Sequence, residues 1–241
     1  PVLKSLQRFL LSLREQSSEV DVYAYMTLEG AGPKYQGAWN YAAVSPSRET
    51  VEKALAKIHP TQVALTENAE EVTVANLDKH VPYRKCFGPE NPARDSLVEP
   101  FWLEPDHLSR GMNQLLHVQD CLRLVVQQEA LSRRRYDVVF LTRPDLQYHA
   151  LREKDLVAKV ASGTVMYHKD WFIGMRRSYM DGFLERAKSL PQCKQGDKCC
   201  HLVGRSEQMF EYLLSACLFP VCTFKALVRS CSVDVGEIVR P

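Results

Sequence analysis

The chain has 241 residues, 45% of them hydrophobic and 25% charged, with a formal net charge of +2. This is the make-up of a folded globular protein, and the length slightly favours one domain over two. The charge is too small to argue for a nucleic-acid partner, and no apolar run approaches the roughly 20 residues that span a bilayer.

The chain goes from Pro1 straight into a helical pattern, without the signature of a secretory leader. Leu3, Leu6, Leu10 and Leu13 recur at steps of three and four, one face of a helix that Ser17 and Ser18 end. In VDVYAYM, Val20, Val22, Ala24 and Met26 alternate with Asp21, Tyr23 and Tyr25, which predicts a strand with two different faces. Residues 29–45, with three glycines, Tyr35 and Trp39, read as a loop. Val51, Leu55 and Ile58 mark a short helix closed by Pro60, and Thr61 to Glu67 a second strand. From Asn68 to Leu108 the periodicity fades among Pro82, Pro89, Pro92, Pro100 and Pro105. Its aromatic residues, Tyr83, Phe87, Phe101 and Trp102, suit an ordered flap or acceptor-side loop.

The longest helix is expected over Ser109 to Arg134, with Leu115, Val118, Leu122 and Val125 inward. Arg133, Arg134 and Arg135 read as cations suited to its last turn, in preference to a phosphate site. The next stretch, YDVVFLTRPDLQY, organises the chain. Val138, Val139, Phe140 and Leu141 predict a strand covered on both faces. Pro144 stops it, because proline cannot donate to a ladder. Thr142, Arg143 and Asp145 are thereby lifted out at the carboxyl end, where open α/β sheets place their ligand crevice. The alternative is a surface turn with an Arg–Asp ion pair.

A short helix around Lys154 to Lys159 leads to a strand over Thr164 to Tyr167, with Asp170, Trp171 and Phe172 at its end. Tyr179, Phe183 and Leu190 give the face of a helix from Met175 to Leu190. PQCKQGDKCC is a loop, and Ser206 reads as the N-cap of a helix from Glu207 to Cys217, with Met209, Phe210, Leu213 and Leu214 inward. Val221 to Val228 reads as a last strand. Helices alternating with buried strands are the grammar of an α/β parallel sheet.

Eight cysteines are present, and Cys193, Cys199, Cys200, Cys217, Cys222 and Cys231 crowd the last fifty residues, while Cys86 and Cys121 stand alone. Disulfides in a Golgi or secretory lumen fit this pattern, and so do small buried thiols in a reducing cytosol. A zinc site from Cys193, Cys199, Cys200 and His201 lacks the paired CxxC spacing. There is no GxGxxG and no GxxxxGK, which argues against a Rossmann dehydrogenase and a P-loop enzyme.

Three acids stand at junctions: Asp145 after the central strand, Asp170 after the next, and Glu207 at a helix start. A carboxylate there suits Mg²⁺, which takes one or two protein oxygens plus substrate phosphates. Arg143 suits bidentate pairing with a phosphate. Trp171 and Phe172 would wall a sugar's apolar face, or else belong to the core.

The long helix running into YDVVFLTRPDL, then DWFIGM and RSEQMFEYLL, resembles a group of glycosyltransferase-like proteins over roughly Val20 to Leu214. The resemblance implies a GT-A fold: a single Rossmann-like α/β domain over residues 1–241, with a mostly parallel central sheet flanked by helices and a nucleotide-sugar donor. Its first strand would lie upstream of Pro1 or be missing. Asp145 matches the last acid of the DXD motif of that fold, while Arg143 stands where the first would be. The resemblance therefore implies Mn²⁺ or Mg²⁺ on Asp145, or Arg143 as the counter-charge for the leaving diphosphate. Thr142, Arg143 and Asp145 would bind donor, Asp170 or Glu207 would act on the acceptor hydroxyl, and Trp171 and Phe172 would hold a glycan, protein or small acceptor. The incomplete DXD also allows an inactive module of the same fold that binds glycans or a protein partner.

Overall fold

The structure, a computed structural model, describes residues 2–17, 19–28, 47–66, 72–81, 105–143, 147–148, 155–168, 172–190, 209, 213–214 and 238–239. The leucine repeat forms α1 (Val2–Gln16). Its apolar side is divided between two cores. Leu3, Leu6 and Leu10 meet Val51, Leu55 and Ile58, while Phe9 and Leu13 meet Leu156, Val160, Met166 and Phe172.

The alternating stretch forms β1 (Tyr23–Thr27), which pairs in parallel with β2 (Gln62–Thr66) through the crossover helix α2 (Arg48–Ala56). Ser47 caps α2 by accepting the Thr50 N–H, satisfying one of the free donors of its first turn. Both faces of β1 are used, as the alternation requires. Val22, Ala24 and Met26 pack toward α1 and α2, and Tyr23 packs into the opposite core, which contains the long helix.

That helix, α4, spans Pro105–Ser132. Pro105 was expected to belong to the Asn68–Leu108 excursion, but it opens the helix, where a missing N–H costs nothing. The same excursion contains a short helix, α3 (Leu77–His80), whose Leu77 packs in the core of α4, and Asn113 of α4 holds the chain ahead of it. The Asn113 amide accepts the Val72 N–H at 2.7 Å and donates to the Val72 carbonyl at 2.9 Å. Residues 82–104 of the excursion lie outside the described residues.

The arginine triplet differs from expectation. α4 ends at Ser132, and Arg133 turns the chain with a left-handed φ of 54°. Arg134 pairs with Glu19 at 2.6 Å and Arg135 with Asp181 at 2.5 Å. Partners across the fold, not the helix carbonyls, take these charges.

The central stretch forms β3 (Val138–Thr142). Val138 and Phe140 face the core of α1 and α5 (Leu156–Ala161), and Val139 and Leu141 face the core of α4 and α6 (Arg177–Ser189). The strand is thus covered on both sides, as its composition requires. Its neighbours correct the expected sheet. The order is β3–β6–β5, with β5 at Met166–His168 and β6 at Phe172–Arg176, and both ladders are antiparallel. Among the described residues only β1 and β2 pair in parallel, so the protein is mixed α/β and the expected mostly parallel sheet is not what these ladders form. The reason was in the spacing: three residues, 169–171, separate β5 from β6, and a parallel connection needs a dozen or more. Phe172 was expected just past the preceding strand and Met175 at the start of a helix, but FIGM is a buried strand in its own right.

α5 ends in a Schellman motif: Gly163, at φ 109°, donates to the Val160 carbonyl, and Thr164 donates to that of Lys159. Met209, Leu213 and Leu214 are helical and buried in the core of α4 and α6, matching three of the four inward positions expected there. β4 (Gln147–Tyr148) pairs antiparallel with β7 (Ile238–Val239) and lies against α1. The expected strand Val221–Val228 and the C-terminal cysteines lie outside the described residues. Among the described residues, no helix is long and apolar enough to cross a membrane.

Candidate functional site

Thr142 is the last residue of β3 and is exposed. Its partner in the ladder is Phe172, the first residue of β6, and Phe172 is in turn partnered by His168, the last of β5. Because β6 runs against both neighbours, β3 and β5 run the same way and end level with each other on either side of Phe172. Thr142 and His168 thus close their strands, and Phe172 opens its own, at the same end of the sheet. Arg143, directly after Thr142, is half-buried there. Asp145, Asp170, Trp171 and Glu207 lie outside the described residues.

Phe172 is a correction. It is 0% exposed, its ring stacked on Phe140 at 5.9 Å and set edge-on to Phe9 at 5.7 Å. It holds α1 on the sheet and presents no face to an acceptor.

Residues not singled out from the sequence gather at the carboxyl end of the parallel pair. Thr27 and Thr66 are partners at the ends of β1 and β2. The Thr66 hydroxyl donates to that of Thr27 at 3.4 Å, and Thr27 Oγ1 lies 3.2 Å from His117 Nε2 on α4. The His117 ring packs on Tyr25, 5.6 Å between centroids. Desolvation raises the Tyr25 pKa, so its hydroxyl stays protonated. The signal was a threonine closing both YMT and ALT, at the same register.

At the opposite end a second polar cluster ties the strands together where they start. Tyr136 donates to Asp21 Oδ2 at 2.5 Å, the Tyr23 and Tyr136 hydroxyls lie 2.6 Å apart, and Thr61 donates to Asp21 Oδ1 at 2.6 Å. Burial raises the Tyr136 pKa, and the bond to Asp21 raises it further. Behind it Glu129 accepts the Tyr136 N–H at 3.0 Å and both Nε and Nη2 of Arg177, whose Nη1 reaches Asp181 at 2.7 Å. Arg177 is 5% exposed. Burial alone would lower its pKa, but Glu129 and Asp181 carry it above the ordinary value. These groups bond one another and tie together the chain segments where β1, β2 and β3 begin.

The chain matches no family model, no curated protein and no solved structure.

Among the described residues, no three His, Cys, Asp or Glu side chains gather as metal ligands. Cys121 is a free thiol under β1, and burial pushes its pKa up to about 11. It is half-buried and its thiol points to the Tyr23 carbonyl.

Proposed function

We propose that the chain is a GT-A-like glycosyltransferase domain that moves a sugar from a nucleotide-sugar donor to an acceptor hydroxyl. The observation that carries this reading is the row Thr142–Phe172–His168, which sets the carboxyl ends of β3 and β5 level on either side of Phe172. The stretches bearing Arg143 with Asp145, and Asp170 with Trp171, follow Thr142 and His168 in the chain. The layering supports it too. α1 and α4 pack against elements of both sheets, and the Tyr23–Tyr136 contact joins β1 to the start of β3.

In this reading Arg143 and Thr142 hold the donor diphosphate, and Asp145 would hold Mn²⁺ or Mg²⁺. The ion, when bound, supplies charge neutralisation on the diphosphate. Arg143 adds a fixed positive charge to the same developing anion, which matters most in the transition state. Asp170 or Glu207 takes the proton of the attacking hydroxyl if stereochemistry is inverted. Trp171 faces the acceptor, a glycan, protein or small molecule.

The test is thermal unfolding with nucleoside diphosphates, with and without Mn²⁺. A ligand at a hundred times its Kd adds about 2.7 kcal/mol, or roughly 5–10 °C in a chain of this size. No shift with any nucleotide favours the second reading, an inactive module of the same fold that binds glycans or a protein partner. That reading draws on Arg143 standing where an acid is expected.

A further inference from the structure

We draw no further inference here: the strongest candidate, the side-chain cluster of Thr27, Thr66, Tyr25 and His117 at the carboxyl ends of β1 and β2, bonds and packs within itself, and nothing in the structure shows what covers it.

Discussion

Replacing Gly174 with alanine should strain the centre of the β3–β6–β5 sheet. Gly174 is partnered by Phe140 on one side and Met166 on the other. A Cβ there would lie 2.7 and 2.9 Å from Cε1 and Cδ1 of Phe140, and 3.2 Å from Cγ2 of Val160. Carbon atoms rest at about 3.5–4.0 Å, so the ring must retreat by close to 1 Å. It has little room, with Phe172 stacked on it and Phe9 edge-on at 6.4 Å. Overpacking of this kind costs about 1–3 kcal/mol. The loss of unfolded-state freedom offsets roughly 0.4–1 kcal/mol of that. A net loss of about 1–2 kcal/mol lowers Tm by roughly 2–8 °C at this chain length. Differential scanning calorimetry on Gly174→Ala, Phe140→Leu and the double variant measures it. Because the smaller side chain removes the clashing ring atoms, the double variant should be more stable than the sum of the single losses predicts, by about 1 kcal/mol. An unchanged Tm for Gly174→Ala, or strict additivity, would refute the geometry.

Arg177→Met leaves Glu129 buried without its cation and should cost about 3–5 kcal/mol in chemical denaturation, while adding Glu129→Leu should restore part of it; a double variant no better than the single one would count against the pair. Raised folded-state pKa values at Tyr136, Tyr23 and Cys121 stabilise the protein fully below the unfolded-state values, 10.0 for the tyrosines and 9.0 for the thiol, and that contribution drains away as pH rises past them. Stability should therefore fall from about pH 9 upward, and Tyr136→Phe should flatten the alkaline part of the curve; an identical slope in that variant would assign the loss elsewhere. Asp145→Ala and Arg143→Ala should each cut sugar transfer at least ten-fold with Tm within a few degrees of wild type; full turnover in either removes that residue from the site. Of Asp170→Asn and Glu207→Gln, the variant lacking the base should lose turnover more than donor binding, and equal losses of both in each would leave neither as the base.

Helical periodicity made α1, α2, α4 and α6 legible, since each buries one repeating stripe, alternation made β1 legible, and a continuous apolar run made β3 legible. The missed elements were those whose signal lies outside periodicity. FIGM is apolar throughout, which suits a strand end or a helix start equally, and only the brevity of 169–171 forced the antiparallel return. Pro105 reads as loop punctuation until the helix around it is known. Arg133 to Arg135 look like a dipole cap because Glu19 and Asp181, their partners, are far off in sequence. Of the expected site, the ladders show that the last residues of β3 and β5, Thr142 and His168, both pair with Phe172, while Asp145, Asp170 and Glu207 lie outside the described residues. Phe172 was misassigned because an aromatic beside an acid looks the same whether it faces a sugar or Phe9. Thr27, Thr66 and His117 escaped notice because three single residues meet only through the parallel register and α4.

The ladders differ sharply in how far the chain must travel to close them. His168 meets Phe172 and Met166 meets Gly174 almost at once, whereas each residue of β1 finds its β2 partner roughly forty positions later. Loop-closure entropy therefore favours the β5–β6 hairpin as an early event, on the microsecond scale of such turns, with the β1–β2 crossover docking afterwards. The two ladder ends nearest that turn, His168 and Phe172, would thus be paired before the long-range β1–β2 layer docks.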